Sequence, residues 1–284
     1  QVFINQGDGT FKDRGFLSGL AASADGLFQA SMGVDAADYD NDGLLDVFMT
    51  HFANDYSTLY HNRGGLLFED VTNKAGLLQP EWLLVSWGAR FVDFNHDGWK
   101  DIFHSNGHVY PFLIDIGWAE RYAQASSVYL NRRDGTFRDV SSEAGEALQV
   151  EKASRGVAFG DYDNDGDIDM VISNLNDSPQ LLRNDSVGRG HWVMFRLRGD
   201  TSNRDGIGAR LTIESGDFRQ IWEIKRTVGI YSASDPRAHF GLGDSTRINR
   251  VEIWWPSGKS KVFEDVPADT HYVITENGQI EKEF

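Results

Sequence analysis

The chain contains no cysteine. That excludes a disulfide scaffold, a Cys-ligated zinc or iron–sulfur site and a cysteine nucleophile, and it leaves the redox compartment open. Basic residues are also in short supply, with 27 Lys+Arg against 43 Asp+Glu and a formal net charge of −16. Nucleic acid and anionic membrane surfaces need basic patches, so neither is expected as the main partner; cations are favoured instead. No apolar run approaches the ~20 residues that span a bilayer, so membrane insertion is not expected. The stretch from Trp82 to Trp87 is the most apolar and is far too short. No signal-peptide pattern opens the chain, which starts at Gln1 and reads as a strand by Val2-Phe3-Ile4. We read it as a mature product or a piece of a longer protein.

What is present is repetitive. One element is Asn, five residues, Phe, one residue, Asp, five residues, Gly. It runs Asn5–Phe11–Asp13–Gly19, Asn62–Phe68–Asp70–Gly76 and Asn131–Phe137–Asp139–Gly145, with a weaker fourth start at Leu181-Leu182-Arg183-Asn184. A second element, Ser-x-Gly at Ser31, Ser86 and Ser154, precedes an acidic loop at a fixed offset. The two alternate with Asn-to-Asn steps of 57, 69 and 53 residues. A repeat of that length carrying several short strands predicts propeller blades, each a small antiparallel sheet. Val47-Phe48-Met49, Ile102-Phe103 and Met170-Val171-Ile172 are strand candidates, and Asp8-Gly9 and Asp134-Gly135 read as hairpin turns.

The three acidic loops share the form D-x-[DN]-x-D-G-x-x-D. Their candidate ligands are Asp38, Asp40, Asp42 and Asp46; Asp93, Asn95, Asp97 and Asp101; and Asp161, Asp163, Asp165 and Asp169. The backbone carbonyls of Leu44, Trp99 and Asp167 complete each set. Oxygen donors at positions 1, 3, 5, 7 and 9 wrap a hard cation, and the glycine at position 6 permits the sharp turn. Calcium tolerates such a flexible site better than magnesium, so about three Ca2+ sites are expected. An EF-hand would need Glu at position 12 and flanking helices; position 12 is Met49, His104 and Ile172, and the flanks read as strands. The bland alternative is three solvated Asp/Gly turns, but dense carboxylates repel one another without a counter-ion. Loop two, with Asn95 for a carboxylate and Lys100 nearby, is expected to bind least tightly.

These residues resemble FG-GAP/VCBS repeats, the calcium-loop blades also found in integrin α-chain propellers. Gly156-Val157-Ala158-Phe159-Gly160 through Asp169 is a close match; Gly88 to Asp101 departs at Arg90 and Val92; Gly33 to Asp46 matches through its loop. The resemblance covers roughly 1–186 and implies calcium that stiffens loops rather than calcium that does chemistry. Three loops are fewer than the 4–8 blades of a usual propeller. Either this is part of a longer propeller, the reading we favour, or the first strands close a small ring.

The pattern changes near Gly190. Short strand candidates at His191 to Arg198, Ala209 to Glu214, Arg219 to Lys225, Arg250 to Trp255, Lys261 to Glu264 and His271 to Thr275 predict a small β-sandwich or barrel. The blocks Gly206-Ile207-Gly208-Ala209-Arg210, Gly229-Ile230-Tyr231-Ser232, His239-Phe240-Gly241-Leu242-Gly243 and Val251-Glu252-Ile253-Trp254-Trp255-Pro256-Ser257-Gly258 resemble the ASPIC/UnbV domain. Together with the repeats, they make the chain similar to the cartilage acidic protein family, and the lack of a Cys-rich module suits a bacterial-type member. The expected architecture is all-β: a partial β-propeller over 1–188 and a β-sandwich or barrel over 189–284.

Three further features of the sequence bear on function. Five of the eight histidines, His51, His61, His96, His104 and His108, fall within one stretch, but no metal-binding constellation is apparent and structural or surface roles are expected. The insertion from Gly107 to Ser126, with Tyr110 and Trp118, either carries binding or covers a blade edge. Carboxylates are abundant enough for a polysaccharide-active enzyme, the alternative function, but no G-x-S-x-G nucleophile motif occurs and no catalytic residue is assigned. The expected role is a secreted, periplasmic or cell-surface calcium-binding module that binds an extracellular protein or glycan.

Overall fold

A computed structural model of the chain describes residues 1–78, 82–113, 115, 117, 119–186, 189–216 and 218–284. The N-terminal two thirds is a series of small antiparallel sheets. The first is a hairpin of β1 (Phe3–Asn5) and β2 (Phe11–Asp13), followed by one helical turn, α1 (Gly15–Ser18). Next come β3 (Val34–Ala37), β4 (Asp46–Met49), β5 (Thr58–Asn62) and β6 (Phe68–Asp70), paired in chain order. The third sheet repeats this order with β7 (Ser86–Val92), β8 (Asp101–Asn106), β9 (Ser127–Asn131) and β10 (Phe137–Asp139). The fourth has β11 (Ser154–Gly160), β12 (Asp169–Asn174) and β13 (Gln180–Leu182). This is the propeller-like arrangement that the repeat spacing predicts. The strands expected after each acidic loop lie within β4, β8 and β12, and the two Asp-Gly turns close the hairpins β1–β2 and β9–β10.

The repeated residues explain why the blades pack. Gly33, Gly88 and Gly156 stand where the next segment's backbone comes closest. A Cβ there would lie 2.0 Å from the Trp87 carbonyl, 2.9 Å from the Val157 amide and 2.2 Å from the Tyr231 carbonyl, respectively. A hydroxyl opposite Gly33 and one opposite Gly88 complete those two joints. Thr50 Oγ1 accepts from the Gly33 amide at 2.8 Å and donates to Trp87 O at 2.8 Å; Ser105 Oγ does the same for Gly88 (3.2 Å) and Arg155 O (2.5 Å). Two of the motif asparagines, Asn131 and Asn184, bind blade to blade at the other end of the strands. Asn131 Nδ2 donates to Tyr39 O of the preceding blade at 2.9 Å, and Asn184 Nδ2 to Phe94 O at 3.0 Å. The weak fourth start at Asn184 thus performs the same work as the clear third.

The C-terminal region forms two four-stranded sheets. One has the order β17 (Ala238–Gly243), β14 (His191–Arg198), β20 (Thr270–Thr275), β21 (Ile280–Lys282), with β14 and β20 parallel. The other is β16 (Phe218–Glu223), β15 (Arg210–Ser215), β18 (Arg247–Trp254), β19 (Ser260–Pro267). Alternate residues of facing strands, including Val193, Phe195, Leu211, Ile213, Phe240, Val251 and Ile253, fill one core with Trp255. The expected sandwich is present. Strands β17 and β21 lie outside the predicted strands: the Gly-containing block around His239 hides the alternation, and β21 is three residues long.

Residues 225–235 leave this sandwich and run along the inner strands of the blades. Lys225 pairs with Asp35 and donates to Ala36 O at 2.5 Å. The Gly229 amide donates to Val34 O at 3.0 Å, the Val157 amide to Ser232 Oγ at 3.0 Å, and the Asp235 amide to Phe159 O at 2.9 Å. One segment therefore engages β3 and β11, and Gly229 also lies against Ala89 of β7. Among the described residues, no helix is long and apolar enough to cross a membrane.

Candidate metal centres in the acidic loops

Each acidic loop joins an inner strand to its neighbour: β3 to β4, β7 to β8, and β11 to β12. The local bonding is the same three times. The position-1 carboxylate accepts the amides of positions 5 and 6: Asp38 from Asp42 and Gly43, Asp93 from Asp97 and Gly98, Asp161 from Asp165 and Gly166. Position 4 turns left-handed in every copy, at Asn41 (φ 58°), His96 (φ 59°) and Asn164 (φ 60°), and the following glycine takes φ 85–98°. The position-5 carboxylate accepts the amide of position 7, at Leu44, Trp99 and Asp167. The position-9 carboxylate accepts the amide of position 2 on one oxygen. Its other oxygen accepts the motif asparagine's amide at 2.8 Å in each blade, from Asn62, Asn131 and Asn184. The asparagine and the loop, far apart in sequence, thus form one unit.

The structure sorts the predicted ligands. In loop one, Asp38, Asp40 and Asp46 bring one oxygen each within 4.8 Å of one another; in loop three, Asp161, Asp163 and Asp169 do the same. These are positions 1, 3 and 9 in both. Position 5 divides: Asp42 joins a second group with Asp40 and His61, whereas Asp165 is outside its loop's trio. Asp167 contributes no carboxylate to the cluster, because its side chain turns to Arg189 and His96. Loop two gathers no such trio among the described residues. Its Asp97 is held by Arg133, with Nε and Nη2 at 3.1 and 3.0 Å, and by the Asn95 amide at 3.3 Å. Lys100 is buried beside this loop, its Nζ 4.9 Å from the Trp222 ring centroid and without a hydrogen-bond partner.

Burial raises the protonation tendency of these carboxylates. Asp38 is pushed up to about 6 and Asp46 to about 8, in each case by burial first and by neighbouring carboxylates in addition. Asp40, Asp161 and Asp169 move up for the same leading reason. In loop two, Asp93 is raised to about 6 by burial, with Lys100 pulling it down, and Lys100 is itself lowered by burial. Loops one and three thus hold converged acid groups, with Arg183 4.0 Å from Asp163 and His271 Nε2 3.3 Å from Asp161 at the edge of loop three, whereas in loop two Arg133 grips Asp97 and Lys100 is buried alongside. The donor sets of loops one and three suit a hard divalent cation. A bound ion would supply the positive charge that lets all three carboxylates of a trio ionise together.

Sequence reasoning missed His61. Its Nδ1 lies 3.1 Å from Asp46 Oδ1 and 3.3 Å from Asp40 Oδ2. Its signal was its place one residue before the motif asparagine, where the other blades have Leu130 and Arg183. The five clustered histidines are all buried, which corrects the surface part of the expectation. Only His61 among them reaches one of the acidic groups that converge within binding distance. In the insertion, Leu113 is buried, His108 meets Phe52 edge to face and lies tilted against Tyr110, and Tyr110 and Phe112 are exposed. Trp118 lies outside the described residues.

Comparison with known proteins agrees with this geometry. A family model described as "FG-GAP-like repeat" matches residues 38–104 and 113–172, which contain the three loops. A model described as "ASPIC and UnbV" matches residues 199–281. Cartilage acidic protein 1 of Homo sapiens is 28% identical over 270 residues, and that of Xenopus tropicalis 26% over 273; each match covers 91% of this chain. The chain spans only 37% and 38% of the length of those relatives. Among solved structures, an Agrocybe aegerita lectin described as recognising non-reducing terminal N-acetylglucosamine matches at TM-score 0.31 and 19% identity, over 64% of this chain and 46% of its own. A putative cell adhesion protein from Bacteroides ovatus matches at TM-score 0.22 and 11% identity, over 90% and 86%. Likenesses that slight carry no argument. The chain is therefore built of FG-GAP-like repeats followed by an ASPIC and UnbV domain and is homologous to cartilage acidic protein 1.

Proposed function

We propose that this chain is a calcium-stabilised propeller module, residues 1–188, joined to a β-sandwich unit, residues 189–284. Its role in that reading is adhesion, or binding of protein or glycan partners, outside the cytoplasm. The observation that carries the calcium assignment is the recurrence of one trio, positions 1, 3 and 9, in loops one and three. Extracellular calcium near millimolar would fill loops of ~10⁻⁴–10⁻³ M affinity, each adding roughly 0.4–1.4 kcal/mol to stability by mass action. A role outside the cytoplasm is supported by the kinship with cartilage acidic protein 1.

The binding assignment draws on the opposite end of the inner strands. Arg155 stands six residues before Asp161, about 20 Å away along a strand. There the Arg155 guanidinium lies 4.2 Å from the Trp87 ring centroid, and Trp87 stacks on Tyr231 at 6.3 Å. Arg155 also donates to the carbonyls of Gly107 and His108, which places the exposed Tyr110 and Phe112 of the insertion next to this ledge. Exposed aromatic rings with a cation beside them suit sugar faces and protein anchors. The test has two arms. Calorimetric melting with calcium and with a chelator should differ by several degrees, and no difference would refute the calcium reading. Screening on glycan and extracellular-protein arrays should give a ligand whose binding is lost in Tyr110→Ala or Tyr231→Ala; unchanged binding in both would place the ligand elsewhere.

A further inference from the structure

In a chain of net charge −16, the outer face of β14 is basic. Val193, Phe195 and Leu197 turn into the sandwich core, so Arg196 and Arg198, by the two-residue period of a strand, turn the other way. Together with Arg204, Asp205 and Arg237 they border a groove of about 260 Å³. Arg226 adjoins it, 3.8 Å from Asp205. Five arginines therefore meet three carboxylates: Asp205, Glu283 and Asp235. Arg196 pairs with Glu283 at 2.5 Å, Arg204 with Asp205 at 3.0 Å, and Arg237 with Asp235 at 2.6 Å. Arg237 is further committed to the propeller through Asp161 O at 2.6 Å and Asn164 Oδ1 at 3.1 Å, so it frames the groove rather than offering free donors. Arg198 is exposed and has neither an ion pair nor a side-chain hydrogen bond among the described residues.

The groove is held in shape by backbone. The Gly199 amide donates to Arg204 O at 3.0 Å, the Gly206 amide to Asn203 O at 3.0 Å, and Gly206 packs against the Leu197 side chain. A guanidinium presents its donors as a planar fork that matches carboxylate and sulfate oxygens two at a time, and is more weakly hydrated than an ammonium. A volume of about 260 Å³ exceeds the ~30 Å³ share of one water several-fold and falls just under the usual range of small-molecule pockets. At physiological salt, charges more than ~8 Å away are largely screened, so the acidic remainder of the molecule does not cancel the groove at contact range. The same acidic remainder repels a long polyanion.

We propose that this groove binds a compact oxyanion, a sulfate or carboxylate group, with Arg198 and Arg204 as its principal donors. It would supply one anionic subsite to the ligand-binding role proposed above, yet it does not depend on the calcium loops or on the aromatic ledge. The test is titration of inorganic sulfate into the whole chain in calcium-containing buffer. Saturable binding in the millimolar range is expected. Arg198→Ser with Arg204→Ser should weaken it about tenfold or more. Asp205→Asn, which removes the competing carboxylate and releases Arg204 and Arg226, should tighten it, a gain that misfolding cannot imitate. Asp38→Ala and Tyr110→Ala should leave sulfate binding unchanged, which separates this site from the proposed calcium and ledge functions. A sugar sulfate or glucuronate that binds more tightly than sulfate assigns the subsite to an acidic glycan; equal affinity assigns it to the free ion. Absence of saturable sulfate binding, or equal affinity in the wild type, the double serine variant and Asp205→Asn, overturns the proposal.

Discussion

Replacing Asn131 with Ala tests the joint between blades. Asn131 is buried, and its side chain makes three hydrogen bonds: Nδ2 to Tyr39 O at 2.9 Å and to Lys100 O at 3.0 Å, and Oδ1 from the Arg133 amide at 2.8 Å. Its main-chain amide, bound to Asp101 Oδ1 at 2.8 Å, survives the substitution. Asn62 is the internal control. It keeps the bond within its own blade, Nδ2 to Leu45 O at 2.8 Å, and the turn bond from the Gly64 amide at 2.9 Å, but among the described residues makes no bond to a preceding blade. Both alanine variants therefore lose the same two local bonds, about 1–3 kcal/mol together. Asn131→Ala additionally leaves the Tyr39 carbonyl unpaired at a buried joint, costing about 1–3 kcal/mol more. Urea unfolding in calcium buffer, followed by tryptophan fluorescence, measures both. Asn131→Ala should unfold at clearly lower urea than Asn62→Ala, and Asn184→Ala, whose Nδ2 reaches Phe94 O, should lose its cross-blade share as well. Equal losses for Asn62→Ala and Asn131→Ala would refute the claim that the asparagine holds neighbouring blades together.

The other predictions concern charge and close packing. Calorimetric calcium titration should lose one site in Asp38→Ala and one in Asp161→Ala but none in Asp97→Ala, whose carboxylate Arg133 already holds; a site lost in Asp97→Ala would show that loop two binds as its neighbours do. Lys100→Met should make loop two more dependent on added calcium, since Lys100 is the buried positive charge that lowers Asp93; an unchanged calcium response would remove Lys100 from that role. Gly156→Ala should destabilise by about 1–3 kcal/mol, because the new methyl would sit 2.2 Å from Tyr231 O on a backbone that cannot yield cheaply; a neutral effect would mean that residues 225–235 do not seat against β11. Glu276 is inaccessible: burial pushes its pKa up, but Ser257 and the amides of Ser202, Asp200 and Thr201 outweigh that and hold it at about 2. A depressed carboxylate stabilises above its unfolded value and loses that contribution as pH falls, here from about 4.5 to about 2. Glu276→Gln should lower the urea midpoint at pH 7 and flatten the decline across that window, and an identical pH profile would contradict it.

Much of this molecule was legible because it repeats. A single D-x-D-x-D-G loop is an ordinary turn, but three at matched offsets, each ahead of a β-branched or aromatic strand, identify the blades and the position of every loop. The glycine at position 6 could be read from spacing because only a left-handed backbone closes that turn. His61, in contrast, gave no periodic signal. It occupies a place where the other repeats have Leu130 and Arg183, and its distance from Asp40 and Asp46 is set by pairing between β4 and β5. Strand β17 escaped for a related reason: its glycines and buried His239 break the alternation that marks a half-exposed strand.

By itself, then, the sequence determined the local chemistry: where backbone turns, which faces are apolar and which carboxylates share a loop. These follow from residue type and short-range spacing, which act within a few residues. Which carboxylates converge was decided by tertiary structure. So was the internal charge of loop two, where Arg133 arrives from the β9–β10 turn and Lys100 is buried under Trp222 of the C-terminal sheet. The run of residues 225–235 along β3 and β11, and the arginine groove beside β14, likewise join segments far apart in the chain. Such contacts depend on how blades and sandwich pack, and no spacing rule along one chain encodes that geometry.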